Sequence, residues 1–281
     1  MQPPVVLSIA GSDPSGGAGI QADLKTFSAL GTYGAAALAG LTVQNTQGVR
    51  AAVAVDPVLV HDQIEAVIDD LPVAATKLGM LSNAAVANAV ADLLEERRDD
   101  FGLIVLDPVM VATSGDRLLA EDAIETIRTR LARLADIVTP NLPEAAVLLG
   151  DKVTVARSAE DLEHQAAALV EAGARAALVK GGHLDDDLLT DVLASGDGVV
   201  RFISPRVRTR NTHGTGCTLS SAIAASAALA GDTRAGGVSR AAVESARDYL
   251  QRAIVSGAGW QLSRHPESGH GPVNHLVNQW L

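Results

Sequence analysis

Short, almost wholly apolar runs alternate with longer amphipathic stretches along the whole of this 281-residue chain. The runs predict strands, several of them covered on both faces, at residues 5–10, 51–55, 103–107, 137–139, 176–180 and 200–203. The longer stretches predict helices at residues 18–30, 57–70, 83–98, 120–135, 159–172, 218–229 and 240–255. This alternation predicts an α/β fold with a mainly parallel central sheet and helices on both of its faces.

Nothing in the sequence divides the chain. It has no linker, low-complexity segment or internal repeat, so we expect one domain spanning residues 1–281. Aromatic residues make up only 2% of the chain, and the core must therefore consist of Ala, Val, Leu and Ile. These side chains suit helices that pack closely against a sheet.

The charge balance excludes several classes of function. With 22 basic and 33 acidic residues the formal net charge is −11, which disfavours a general nucleic-acid or anionic-membrane surface. The single cysteine cannot form an internal disulfide, the start of the sequence lacks a secretory pattern, and no apolar run reaches the length of a membrane span. We therefore expect a soluble, cytoplasmic protein that acts on small molecules.

The glycine-rich segment 11–19 follows the first predicted strand and opens a helix. Glycines in that place let backbone N–H groups approach a ligand closely. The pattern Gly17-x-Gly19-x-x-Ala22 within it resembles a dinucleotide fingerprint, but the fingerprint starts directly after the strand and needs an acidic residue about 20 positions later. The segment meets neither requirement. The alternative that remains is a glycine-rich turn that serves only the shape of the chain.

The segment 211–218 precedes a long Ala-rich helix, so the N–H groups of Gly214, Thr215, Gly216 and Cys217 would form an anion hole at the positive end of the helix dipole. A phosphate fits there, and the same dipole favours a thiolate at Cys217. Two alternatives remain at this point: Thr215 or Thr212 caps the helix, or Cys217 is a small buried residue. The sequence contains no Walker A pattern, which argues against a P-loop nucleotide site.

Two acidic residues follow predicted strands, Asp107 and Glu144, and such hard oxygen ligands suit Mg²⁺. Glu144 has a second interpretation, because Asn141 three residues earlier is spaced for a capping box. Lys180, at another strand end, is a candidate phosphate ligand. The three tail histidines lack metal-ligand spacing and predict no metal site.

These segments together resemble the hydroxymethylpyrimidine/phosphomethylpyrimidine kinases of thiamine biosynthesis, within the ribokinase-like superfamily. The resemblance covers nearly the whole chain, with its motifs in the same order. They lie at residues 8–23, 42–46, 77–81, 107–110, 139–145, 180–183, 213–218 and 269–273.

The resemblance implies a ribokinase-like single domain with a central sheet of about eight strands, ATP with Mg²⁺, and a homodimer. It also implies a role for each motif. The pyrimidine is expected against Asp23 and Gln44, in a pocket shaped by Gly11, Ala18, Met80 and Val109. Asp107 and Glu144 are expected near Mg²⁺, and Asn141, Lys180 and Thr215 near the ATP phosphates. Gly214 and Gly216 are expected to bracket the anion hole for the transferring phosphoryl group.

Cys217 stands where sugar kinases of the superfamily carry an Asp base, so a thiolate there would take the hydroxymethyl proton in a first transfer. A second transfer, to a phosphate, needs no base. A pyridoxal kinase of the same fold is the alternative function. Some of those enzymes carry an extra Cys in the lid, which here reads Val111 to Asp116 without one. A non-catalytic nucleotide-binding regulator is the third hypothesis.

Overall fold

The computed structural model describes residues 2–110, 119–150, 153–182 and 187–279. The predicted lid at residues 111–116 lies outside the described residues. Within them, nine strands form one sheet in the order β3-β2-β1-β4-β5-β6-β7-β8-β9. The strands are β1 (Val5–Ser12), β2 (Tyr33–Asn45), β3 (Gly48–Ala54), β4 (Val73–Leu78), β5 (Leu103–Leu106), β6 (Ile137–Val138), β7 (Ala176–Val179), β8 (Leu188–Ser195) and β9 (Gly198–Pro205).

The middle of the sheet is parallel and its two ends are antiparallel. β2, β1, β4, β5, β6 and β7 pair in parallel, which confirms the predicted mainly parallel sheet. β3 joins β2 as an antiparallel hairpin at one end, and β8 and β9 add antiparallel strands at the other. The carboxyl ends of the parallel strands therefore lie along one edge of the sheet, where ligands of open α/β folds bind.

The helices connect these strands and cover both faces of the sheet. They are α1 (Gly19–Leu30), α2 (Pro57–Ile68), α3 (Ala84–Glu96), α4 (Glu121–Thr126), α5 (Ala132–Leu134), α6 (Leu142–Leu149), α7 (Ala159–Glu171), α8 (Thr215–Ala230) and α9 (Arg240–Gly257). A π-helical turn, Ile127–Leu131, joins α4 to α5. Among the described helices, none combines the length and apolar character of a transmembrane span.

The core consists of two apolar layers separated by the sheet. Leu7 of β1 and Ile104 of β5 point into one layer, whereas their neighbours Val6 and Val105 point into the other. This period of two over strands that are buried on both faces is what the uninterrupted apolar runs predict. Helix α8 lies in the second layer, and ten of its sixteen residues are buried. Its small Ala and Ser side chains allow close packing against the sheet.

Candidate active site

A cavity of about 730 Å³ opens at the carboxyl ends of the parallel strands. All but one of the predicted site residues line it, and the exception is Asp23. The lining residues among them are Gly11, Ala18, Gln44, Met80, Asp107, Val109, Asn141, Glu144, Lys180, Gly214, Thr215, Gly216 and Cys217. One cavity therefore holds the predicted acceptor, metal and phosphate positions, although they come from loops far apart in the sequence.

Asp23 is placed differently from the prediction. Its side chain is fully buried below the cavity, and both carboxylate oxygens lie 2.9 Å from Nζ of Lys77. The hydroxyl groups of Ser8 and Ser221 donate to the same carboxylate, at 2.6 and 2.7 Å. The expectation that Asp23 contacts a pyrimidine is therefore wrong for this structure, because the buried face of α1 directs its carboxylate to Lys77.

Lys77 is a site residue to which the sequence analysis gave no role. It lines the floor of the cavity although its side chain has no exposed surface. Burial alone would lower the pKa of its ammonium group, but the Asp23 carboxylate holds that pKa above its usual value. Lys77 therefore places a permanent positive charge in the floor of the site, close enough to lower the pKa of the Cys217 thiol.

The first turn of α8 presents free backbone donors to the cavity. The helix begins after Gly214, whose φ of 77° is left-handed, and no side chain caps it. The N–H groups of Gly214, Gly216 and Cys217 have no acceptor among the described residues, and that of Thr215 donates weakly to the Thr212 carbonyl at 3.3 Å. Capping by a threonine side chain is thus not observed, and the donors are available to an anion at the positive end of the dipole.

Position 214 requires a glycine because of its positive φ angle and because the backbone of the glycine-rich loop lies very close to it. A Cβ at this position would lie 1.8 Å from the carbonyl oxygen of Gly17 and 3.1 Å from Cα of Ala18. The glycine-rich loop therefore packs directly against the backbone of the anion hole. Gly216 faces the opposite wall, where a Cβ would lie 3.3 Å from Nζ of Lys180 and 3.5 Å from Oδ2 of Asp107.

Cys217 is a thiol rather than the expected thiolate. Burial raises the pKa of its thiol to about 11, and the carboxylates of Asp23 and Asp107 act in the same direction. Lys77 and the N–H of Gly19 oppose this shift without overcoming it. The expected lowering of the Cys217 pKa is therefore not found, because desolvation and the two nearby carboxylates raise this pKa by more than Lys77 and the Gly19 N–H lower it.

Asp107 and Glu144 lie on either side of Lys180. Nζ of Lys180 is 3.0 Å from Oδ1 of Asp107, and the two carboxylates raise the pKa of the ammonium group against the effect of its burial. Burial raises the pKa of Glu144 to about 7; Lys180 lowers it and Asp107 raises it. Two buried carboxylates that share one lysine form a donor set of hard oxygens that a divalent cation would stabilise, so these residues fit Mg²⁺.

The capping interpretation of Glu144 is confirmed. Its Oε2 accepts a hydrogen bond from the N–H of Asn141 at 2.8 Å, and Oδ1 of Asn141 accepts one from the N–H of Glu144 at 3.0 Å. The capping box at the start of α6 is therefore present. Because both side chains also line the cavity, the cap fixes their positions at the site.

Gly11, Thr42, Gln44 and Met80 also line the cavity. Gly11 leaves room for Met80, because a Cβ on it would lie 2.2 Å from the Met80 methyl carbon. Oε1 of Gln44 lies 3.1 Å from Oγ1 of Thr42, which also hydrogen-bonds to the Ser12 carbonyl. The single Thr42 hydroxyl proton can be donated to only one of these two oxygens, and Nε2 of Gln44 has no hydrogen-bond partner among the described residues.

Several backbone N–H groups of the glycine-rich loop donate hydrogen bonds within the loop itself. The carboxylate of Asp13 accepts hydrogen bonds from the N–H groups of Ser15, Gly17 and Ala18 at 2.9, 3.1 and 2.9 Å. These donors are unavailable to a ligand, so the loop acts through its shape and not as a phosphate cradle. Asp13 was part of the predicted motif, but no local pattern identified this role.

Comparisons with known proteins show the family of this chain. A model of the phosphomethylpyrimidine kinase family matches residues 13–274. Over 277 residues the chain is 47% identical to the hydroxymethylpyrimidine/phosphomethylpyrimidine kinase of Rhizobium meliloti (strain 1021), with 98% of each chain covered. The phosphomethylpyrimidine kinase structure from Clostridium difficile 630 superposes with a TM-score of 0.76 at 37% identity, covering 89% of this chain and 99% of that one.

Pyridoxal kinases are related to this chain at lower identity. The pyridoxal kinase of Staphylococcus aureus in complex with ADP superposes with a TM-score of 0.86 at 30% identity, and 100% of this chain and 96% of that one are covered. The architecture is thus the predicted ribokinase-like α/β fold, and the enzyme is a kinase. From its sequence along almost its full length and from its fold, the chain belongs to the phosphomethylpyrimidine kinase family.

Proposed function

We propose that this kinase phosphorylates 4-amino-5-hydroxymethyl-2-methylpyrimidine with ATP, and then phosphorylates the monophosphate to the diphosphate used in thiamine biosynthesis. The observation that carries the proposal is the single cavity in which the free Gln44 amide and the free donors of the α8 first turn are both exposed. An aminopyrimidine pairs with a carboxamide, and a phosphoryl group fits the helix N-terminus. One cavity can therefore hold the acceptor and the transferring group together.

The donor side of the site supports ATP with Mg²⁺. Lys180 and Thr215 would contact the ATP phosphates, and Asn141 lies beside them although its Oδ1 is used by the helix cap. Asp107 and Glu144 would hold Mg²⁺, which supplies charge neutralisation between the phosphates when it is bound. The N–H groups of Gly214 and Gly216 would stabilise the equatorial oxygens of the γ-phosphoryl group, since preorganised donors contribute most in a desolvated site.

In the first transfer Cys217 would accept the hydroxymethyl proton, but only after losing its own proton to solvent. With a pKa of about 11, this ionisation costs about 4 kcal/mol at pH 8. In the second transfer the acceptor is already an ionised phosphate and no base is needed. The two reactions therefore differ in their expected dependence on pH and on Cys217.

A coupled ADP-release assay with purified pyrimidine alcohol, its monophosphate and pyridoxal tests the proposal. We expect turnover with both pyrimidines and a kcat/KM for pyridoxal at least about tenfold lower. Faster turnover of pyridoxal would assign the chain to the alternative activity. Absence of ADP release with all three acceptors, together with ATP binding, would indicate a regulator without kinase activity.

We also propose a homodimer that works in the cytoplasm. The hairpin of β2 and β3 at the edge of the sheet exposes Leu41, Val43 and Val53, each at least half exposed, and such apolar side chains on an edge suit a subunit interface. A reducing compartment suits the lone thiol in the cavity. Light scattering on a size-exclusion column tests the dimer, and Val53→Lys is expected to yield monomers.

A further inference from the structure

His213 and Asp13 form a buried hydrogen-bonded pair next to the anion hole. Nε2 of His213 lies 2.7 Å from Oδ2 of Asp13, and the two side chains are only 7% and 3% exposed. They are 200 residues apart in the sequence. Burial would raise the pKa of Asp13, but the hydrogen bonds from His213 and Ser15 hold it at about 2. The carboxylate is therefore ionised throughout the working range and always accepts from His213.

The two partners of this pair belong to different parts of the site. Asp13 anchors the glycine-rich loop, because its carboxylate also accepts from the N–H groups of Gly17 and Ala18. Ala18 lines the cavity, and the N–H of the next residue, Gly19, lowers the pKa of the Cys217 thiol. His213 directly precedes Gly214, the first residue of the anion hole. The hydrogen bond between His213 and Asp13 thus connects the glycine-rich loop to the backbone donors at the start of α8.

The backbone of His213 makes a second connection. Its N–H donates to the carbonyl of Gly271 at 3.0 Å, and a parallel bridge joins it to Pro272. One residue earlier in this tail, the N–H of His270 donates to the carbonyl of Thr46 at 2.8 Å. Thr46 lies in the turn that follows Gln44 in β2. The tail therefore links His213 to the hairpin that carries the Gln44 amide.

The contacts around the His213 ring leave no space for an alternative arrangement. A Cβ on Gly17 would lie 2.3 Å from Cδ2 of His213 and 3.2 Å from Cβ of Pro272. The ring is consequently packed between the glycine-rich loop and the tail. A displaced ring would move the loop, the tail or Gly214, and with them the distance between the acceptor and the phosphoryl group.

We propose that His213 is a positioning residue, which through Asp13 and Gly271 sets the distance between the acceptor pocket and the anion hole. This inference rests on the proposed function for its kinetic consequence. Losing the side-chain contact should leave both binding sites formed but misaligned. Because a misplacement of about 1 Å can slow a transfer roughly 100-fold, the loss should appear in kcat and not in KM.

Two amide variants test this inference as a matched pair. In His213→Gln the side-chain Nε2 reaches Asp13 and can donate to it, whereas in His213→Asn the side chain is shorter by one methylene group and leaves the contact unmade. We expect His213→Asn to lower kcat roughly 10- to 100-fold with KM for both substrates changed less than about threefold. His213→Gln should recover to within about fivefold of the wild-type kcat.

Arg98→Gln is the control for a general loss of stability. Arg98 forms a buried ion pair with Asp136 at 2.6 Å, near the amino ends of β5 and β6 and away from the cavity. This variant should lower the melting temperature and keep kcat when it is assayed well below that temperature. An equal fall of kcat in Arg98→Gln, or equal kcat in His213→Gln and His213→Asn, would overturn the inference.

A second readout needs no substrate. Cys217 is the only thiol of the chain, so its alkylation by iodoacetamide reports on the opening of the anion hole. His213→Asn should react about tenfold faster than the wild type and His213→Gln should not, because local opening increases the access of the reagent to this partly buried thiol. Equal rates would overturn the positioning role. If the wild type phosphorylates no acceptor, the proposed function fails and the alkylation rates alone decide the inference.

Discussion

Replacing Glu144 with Gln should make the protein more stable at pH 8 while it impairs the enzyme. A carboxyl whose pKa rises from 4.5 to about 7 on folding binds its proton more tightly in the folded state. The folded state is therefore favoured fully below pH 4.5, and this stabilisation is lost as the pH rises through 7. Each pH unit corresponds to about 1.4 kcal/mol, so the ionised Glu144 destabilises the folded protein by up to about 3 kcal/mol at pH 8.

The Gln side chain removes this charge but keeps the capping geometry, because its carbonyl oxygen can still accept from the N–H of Asn141. Urea unfolding at pH 8 should show Glu144→Gln to be more stable than the wild type by about 1–3 kcal/mol. As the pH falls below 4.5 the difference should approach zero, because Glu144 is then protonated in the folded and in the unfolded state. Glu96→Gln, at an exposed position, is the control and should change the unfolding free energy by less than about 0.5 kcal/mol.

The same variant should need roughly tenfold more Mg²⁺ for half-maximal activity, because one of the two carboxylates that fit the metal is gone. A variant less stable than the wild type at pH 8 would refute the reasoning, since the attraction between Glu144 and Lys180 would then outweigh the burial of the charge. A stability difference that is the same at pH 8 and pH 4.5 would refute it as well.

Four further outcomes are expected. Gln44→Ala should weaken pyrimidine binding by roughly 1–3 kcal/mol in calorimetry and leave ATP binding unchanged, and equal weakening of both would remove Gln44 from the acceptor pocket. If Cys217 is the base, the rate of the first phosphorylation should rise about tenfold per unit between pH 7 and 10, whereas the second should stay flat; parallel profiles would exclude the base role. Cys217→Asp should slow the second phosphorylation at least about fivefold more than the first, measured separately, because its carboxylate repels the phosphate acceptor. Gly214→Ala should abolish activity or folding, since its Cβ would collide with the Gly17 carbonyl, and a folded, fully active variant would contradict the tight contact.

The parts of the fold that the sequence predicts are those with a local pattern. The uninterrupted apolar residues of β5 and β7 identify them as buried strands. β2 was not predicted, because Gly and Ala residues and a polar end interrupt any alternation. β4 was missed for another reason: it contains the fully buried Lys77, whose charge is tolerated only because Asp23 lies opposite. Helix α6 is eight residues long, which is too short for a periodic pattern.

The part of the site that could be predicted from the sequence is the part whose position depends only on the order and direction of the strands. Residues that follow parallel strands converge at one edge of the sheet, so Asp107 and Lys180 lie together as expected. The direction of a side chain and its degree of burial depend on distant segments, and the predictions for Asp23 and for the Cys217 thiolate failed there. The pair of His213 and Asp13 could not be predicted from spacing, because 200 residues separate the two side chains.

The packing of α8 has a consequence for the energy of the transition state. Ten of the sixteen helix residues are buried, so the dipoles of its first turn acquire their direction when the chain folds; in the proposed reaction they would not rotate as charge develops on the phosphoryl oxygens. In water the solvent would have to reorient at that moment, and this reorganisation energy is part of the uncatalysed barrier. In this protein folding supplies that energy in advance. A substitution near the far end of α8 that lets the helix shift by a fraction of an ångström should therefore slow catalysis without touching a substrate.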